Sequence, residues 1–255
     1  MGSGSGDVDD GFALVALLLS GQPVAAIGSV FGNTSEEQAF ENNRALSQLC
    51  GFQGSCLRGA EASRFLVSTQ ESLRVLALGP LTNIAAALEM EPALARRMTE
   101  LIVVGANAAS RGRWPPLWPF EFNLVRDRQA TRTVLCSEVP LTIVPLDVAR
   151  RLWITRQDLR EVGGPVGAYL QQHADRWFRR ARLLKWRGSV PLWDLVAALY
   201  VLEPSLFRLR EDRVRFHDRG WIQFGNGPRP VRRVEGFDRE AVWRHFVRMV
   251  SDRSS

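Results

Sequence analysis

The sequence is short of several things, and each shortage excludes something. Its 255 residues hold three cysteines, Cys50, Cys56 and Cys136, with no CxxC pair. That speaks against a disulfide scaffold and a structural zinc site, and for a reducing compartment. Long apolar runs are missing as well: the longest, Phe12 to Leu19, is too short to span a bilayer. No basic segment opens the N-terminus, so a secretory signal is not expected and the expected address is cytoplasmic. Lysine is almost absent. Lys185 is the only one, so arginine carries nearly all of the positive charge behind the formal +6. Those arginines are scattered, with small runs only around 95–97, 178–182 and 231–233. The scatter indicates compositional bias, and no sequence-specific nucleic-acid surface is expected; net charge of this kind bears on solubility and loose association.

What is present is a core. With 45% hydrophobic and 24% charged residues, the composition fits one globular domain over residues 1–255, and neither a disordered tail nor a fibrous repeat. An apolar helix is expected over 10–20 and a strand from Val24 to Phe31. The next helix opens at Thr34, where Thr34 and Glu37 have capping-box spacing. Strands follow at Leu73–Leu78, Leu101–Val104 and Leu141–Pro145, and helices at Thr82–Arg97 and Asp127–Cys136. From Thr155 to Leu202 the pattern reads as helical. A β-rich run (Val214, Trp221–Phe224) and a helix from Asp238 to Val250 close the chain. Strand and helix in alternation predict an α/β fold: a mostly parallel central sheet covered by helices on both faces. In such sheets ligands bind beyond the carboxyl ends of the strands, here Phe31–Thr34, Leu78–Asn83, Gly105–Asn123 and Pro145–Arg151.

Five groups of residues in or near those places could do chemistry. Asp7, Asp9 and Asp10 crowd three carboxylates into four residues; they either hold a metal and activate water or cap a helix. Asn33, at a strand-to-helix switch, either serves a hydroxyl-bearing ligand or makes a turn. The Gly79-Pro80 turn leaves the Leu78 carbonyl free to coordinate, or is only a turn before a helix capped by Thr82 or Asn83. Glu121 and Asn123, at i and i+2 of an extended segment, face one way and could grip two hydroxyls of a sugar. Asp194 opens an apolar helix and becomes a metal ligand only if the fold carries it to Asp10.

Together these segments resemble the inosine–uridine-preferring nucleoside hydrolase family. The resemblance runs through nearly the whole chain and rests on Asp9-Asp10, "VFGNTSEEQA" from Val30, "ALGPLTNIAAAL" from Ala77, "EFNLVRD" from Glu121, "VPLDV" from Val144 and "WDLVAAL" from Trp193. It implies a nucleoside hydrolase-like α/β fold and hydrolysis of the N-glycosidic bond of ribonucleosides, with a bound Ca²⁺. It implies that Asp10, Asp194 and the Leu78 carbonyl hold the Ca²⁺, that Asp9 takes the proton of the attacking water, and that Asn33, Glu121 and Asn123 grip the ribose. Trp193, Trp114 or Trp118 either stacks on the base or only packs in the core. Relatives often form dimers or tetramers, so a homo-oligomer is implied too.

Three departures accompany the resemblance. The family motif begins with a strand and a metal-binding aspartate a few residues before the Asp9-Asp10 pair; Met1–Gly6 supplies neither. An upstream start, a relative that has lost catalysis yet binds nucleosides or a partner protein, and substitution by Asp7 are the open alternatives. Trp193 stands where many members have a histidine that protonates the leaving base, which leaves His173, among the three histidines, as the replacement acid to test. Finally, the stretch between Gly59 and Leu73 is short where fuller-length relatives have a helix and a mobile loop, so a more open site is expected.

Overall fold

Three apolar runs build the centre of the sheet in the computed structural model, which describes residues 8–108, 122–183, 188–217 and 221–252. In chain order, α1 (Asp9–Leu19) leads to β1 (Ala26–Gly28), α2 (Glu36–Leu49), β2 (Ser55–Leu57) and α3 (Gly59–Ser68). β3 (Leu73–Ala77), α4 (Thr82–Met90), α5 (Leu94–Arg97) and β4 (Met98–Val104) follow. After these come α6 (Asn123–Arg126), α7 (Arg128–Cys136), β5 (Leu141–Val144) and α8 (Leu146–Ala149). β6 (Trp153–Thr155), α9 (Arg156–Arg160), α10 (Gly164–Leu183), β7 (Ser189–Pro191) and α11 (Trp193–Leu202) form the next block. β8 (Phe207–Phe216), β9 (Ile222–Phe224), β10 (Arg229–Phe237) and α12 (Arg239–Asp252) end the fold.

Six strands join in the order β3-β4-β5-β10-β8-β9. The first four run parallel, and β8 and β9 pair antiparallel at one edge. The expected α/β architecture with a mostly parallel sheet is what the chain adopts. Side chains alternate across it as the strand period demands: Ile102 and Val104 enter one core with α1, α10, α11 and α12, while Leu101 and Val103 enter a second with α4 and α7. β1 and β2 form a separate parallel pair. No helix among the described residues is long and apolar enough to cross a membrane.

Several boundaries differ from expectation, each for a physical reason. The strand expected over Val24–Phe31 shrinks to Ala26–Gly28, because its only hydrogen-bonding neighbour among the described residues, β2, is three residues long. α2 starts at Glu36 rather than Thr34: Ser35 is the cap and accepts from the Gln38 amide at 3.2 Å. Glu37 is drawn instead to Arg58, 2.7 Å away, whose guanidinium lies over the Phe40 ring. Ser35→Ala should therefore cost about 1 kcal/mol of stability and Thr34→Ala clearly less, measured by urea unfolding.

The helix expected over Thr82–Arg97 breaks at Glu91, whose backbone turns extended just ahead of Pro92. The helical block expected from Thr155 to Leu202 is interrupted by β7, which pairs antiparallel with β6. The short Gly59–Leu73 stretch does keep a helix. That helix, α3, is held by the Ser63 hydroxyl, which donates to the backbone carbonyls of Gly59 (3.1 Å) and Asn83 (2.9 Å).

Candidate active site

Two helix N-termini meet beyond the carboxyl end of the sheet. α1 and α11 pack against each other, and both carry acids in their first turn: Asp9 and Asp10 on one, Asp194 on the other. The residues at the two cap positions, Val8 and Leu192, make no side-chain capping bond, so these acids are first-turn residues and not caps. One carboxylate oxygen from each of the three lies within 4.8 Å of the others. Asp9 and Asp194 are buried, only 4% and 6% exposed, and Asp10 is half-buried.

Burying like charges together is costly unless something offsets them. The positive ends of two helix dipoles supply part of the offset. A divalent cation would supply more: oxygens bound at about 2.3–2.6 Å to one ion sit no more than roughly 5 Å apart. The donor set is hard oxygen throughout, which suits Ca²⁺ or Mg²⁺ and not a thiophilic metal.

The other expected residues lie on neighbouring loops. Leu78 follows β3, and its carbonyl accepts from the Asn123 side-chain amide at 3.0 Å. The same amide nitrogen reaches the Val104 carbonyl at 3.4 Å, so Asn123 bridges the ends of β3 and β4. Asn33 is exposed on the loop after β1. That loop packs closely on the others: a side-chain carbon added at Gly32 would touch Pro80 and Phe122, and one at Gly79 would lie 2.7 Å from Val30. The 31–34 loop, the 78–83 turn and the start of α6 therefore converge.

Trp193, adjacent to Asp194, is half-buried and packs on Trp177 of α10, ring centroids 6.2 Å apart. His173 lies one turn earlier on α10, exposed, with its Nδ1–H donated to the Tyr169 carbonyl at 2.8 Å and its ring stacked on Tyr169. Glu121, Asp7, Trp114 and Trp118, named from the sequence, lie outside the described residues.

Residues to which the sequence assigned no site role tie these loops together. The Asn83 amide donates to the Ser29 carbonyl at 2.8 Å, and the Asn43 amide to the Ser29 hydroxyl at 3.0 Å. The Thr82 hydroxyl donates to Asp127 at 2.6 Å. Ala106, just past β4, sits in the left-handed region at φ 60°, a conformation that non-glycine residues enter at a cost and that recurs near functional sites. Asn83, Thr82 and Asp127 all lie inside the family-like segments; only their long-range partners were hidden.

A family model described as "Inosine-uridine preferring nucleoside hydrolase" matches residues 57–244. The chain is 32% identical over 146 residues to the pyrimidine-specific ribonucleoside hydrolase RihA of Klebsiella pneumoniae, covering 56% of this chain and 46% of that one. The chain thus spans about half the length of the curated relatives it matches. Among solved structures, a plant nucleoside hydrolase superposes with a TM-score of 0.85 at 20% identity, covering 96% of both chains. A purine-preferring ribonucleoside hydrolase from Gardnerella vaginalis gives 0.84 at 18% identity, covering 98% of this chain and 97% of its own. At these identities the superpositions speak for the fold.

Proposed function

This chain belongs to the inosine-uridine preferring nucleoside hydrolase family, and from that premise we propose that it hydrolyses the N-glycosidic bond of ribonucleosides to free base and ribose, with Ca²⁺ as resident metal. The observation that carries the reading is the meeting of Asp9, Asp10 and Asp194, from distant parts of the chain, at one point beyond the sheet. Asp10, Asp194 and the Leu78 carbonyl would hold the ion, which supplies charge to polarise a water and oxygen ligation to a sugar diol.

The chain's own groups carry the rest of the chemistry. Asp9, buried beside the other two acids, accepts the proton of the attacking water. Asn33, Glu121 and the Oδ1 of Asn123 hold the ribose hydroxyls. As the bond to the base lengthens, positive charge grows on the pentose, and surrounding carboxylates stabilise it. Trp193 offers its ring face to the base, a contact indifferent to which base is present. Base preference is thus left to local contacts, and one relative is named for pyrimidines while a structural neighbour is named for purines. A single domain, a cytoplasmic address and assembly into dimers or tetramers belong to the same reading.

The test is release of reducing sugar from inosine, uridine, cytidine and adenosine, with Ca²⁺ and with a chelator. Release from at least one nucleoside, falling about 100-fold or more on chelation, is expected. A nucleoside that binds by calorimetry but never yields sugar would move the chain to the non-catalytic alternative.

A further inference from the structure

The two loops that carry the Leu78 carbonyl and Asn123 are fastened together at two points. One is the Asn123 amide on the Leu78 carbonyl itself, at 3.0 Å. The other lies four residues further along each segment, where the Thr82 hydroxyl donates to Asp127 Oδ2 at 2.6 Å. Asp127 is doubly engaged, since its second oxygen, Oδ1, caps α7 by accepting from the Ala130 amide at 3.0 Å. The carboxylate therefore joins the first residue of α4 to the first turn of α7. Between the two fastenings, the Thr131 hydroxyl on the Leu124 carbonyl (2.8 Å) locks α6 to α7.

We propose that Thr82 and Asp127 are positioning residues that aim the Leu78 carbonyl and Asn123 at the metal and sugar together. The proposal rests on the calcium reading above. A carbonyl oxygen has two lone pairs; one takes the Asn123 N–H and the other is left for the ion. If the α6 segment slides along the 78–83 turn, Asn123 leaves Leu78, and the carbonyl swings with the turn. A hydroxyl–carboxylate bond is short, directional and charge-assisted, which suits it to fixing a register that apolar contacts between α4 and α7 would leave free to slip. Partners one step removed from a metal ligand affect affinity by about 10–100-fold.

The test is calcium titration by calorimetry on the wild type, Thr82→Val, Thr82→Ala and Thr82→Ser, alongside melting of each protein without metal. Val keeps the shape and loses the hydroxyl, whereas Ser keeps the hydroxyl. Val and Ala are expected to weaken Ca²⁺ about tenfold and Ser to restore it, while the metal-free melting temperatures stay together. Equal affinity in Thr82→Val and wild type overturns the positioning role and leaves the calcium reading intact. So does a loss of affinity that merely follows metal-free stability across the series. Wild type that takes up no Ca²⁺ overturns both.

Discussion

Asp194→Asn is expected to abolish the calcium-dependent rise in melting temperature while changing the metal-free protein far less. The contrast between the two effects separates a metal ligand from an ordinary first-turn acid. Ca²⁺ at 100 times its dissociation constant would stabilise the wild type by about 2.7 kcal/mol. For a chain of this size that is a shift of roughly 5–10 °C. Asparagine keeps the volume and one oxygen but removes a charge from a set in which charge governs affinity.

Without metal, two effects oppose each other. A carboxylate in the first turn of α11 gains about 0.3–1 kcal/mol from the helix dipole. Repulsion between unit charges near 4 Å is about 1–4 kcal/mol, depending on how much solvent reaches them, and Asp194 is buried with two other acids within 4.8 Å. Because the two are opposed, the metal-free change should be small beside the loss of the calcium-dependent shift. Differential scanning fluorimetry with calcium and with chelator reads both numbers. A calcium-dependent shift of undiminished size in Asp194→Asn would remove residue 194 from the metal site.

The parts of the fold that could be read from the sequence are those whose burial is symmetric. Leu101–Val104 of β4, and β5 but for Thr142, are apolar because helices cover both faces, and such runs announce themselves. β10 sits in the middle of the same sheet and escaped. Its buried hydrophobic side chains, Val231 and Val234, are three apart, and a bulge between Val234 and Gly236 shifts the register that would make a period of two visible. Its arginines read as surface, yet Arg233 pairs with Asp212 at 2.7 Å and Arg232 with Glu100 at 2.7 Å. Opposite charge on the adjacent strand (Asp212 on β8) or two strands away (Glu100 on β4) lets basic residues enter a sheet, and only tertiary structure supplies it.

The site divides in the same way. From residue types alone, Asp9, Asp10 and Asp194 were equally good helix-opening acids, and they do open helices. That they also meet depends on α1 and α11 lying side by side, a contact between segments about 180 residues apart that no local pattern encodes. The family resemblance supplied it. The Asn83–Ser29 and Thr82–Asp127 bonds were beyond reach for the same reason: each residue has a complete local explanation, a turn or a cap, that hides its distant partner.

Glu100→Gln should cost about 3 kcal/mol at neutral pH, and most of that cost should vanish in acid. The side chain is 6% exposed and accepts four bonds: from Arg74 Nε (2.7 Å), Arg232 Nη2 (2.7 Å), the Tyr200 hydroxyl (2.9 Å) and the Thr142 hydroxyl (2.5 Å). These donors come from β3, β10, α11 and β5, so one carboxylate on β4 binds four neighbouring elements. A glutamine would turn an NH₂ toward donors. Breaking a buried ion pair costs about 3–5 kcal/mol; the low end applies because the Arg74 and Arg232 side chains, 31% and 40% exposed, can turn to water.

Burial pushes the Glu100 carboxyl up, but the bonds from Thr142 and Tyr200 and the charge of Arg74 outweigh it and hold the group below its ordinary 4.5. A depressed carboxyl contributes stability that is present above the unfolded value and lost as pH falls through the folded one. Urea unfolding of wild type and Glu100→Gln should therefore differ by about 3 kcal/mol at pH 7, and the gap should start to narrow below the ordinary 4.5 and close as pH falls through the lower folded value. A gap that persists unchanged into acid would mean that shape, not charge, holds this junction. Tyr200 lies six residues beyond Asp194 on the same helix, so the junction also fixes how far α11 extends toward the acid cluster. Glu100→Gln should accordingly weaken calcium binding only where it loosens the fold, the reverse of Asp194→Asn, which weakens binding while the fold stays whole.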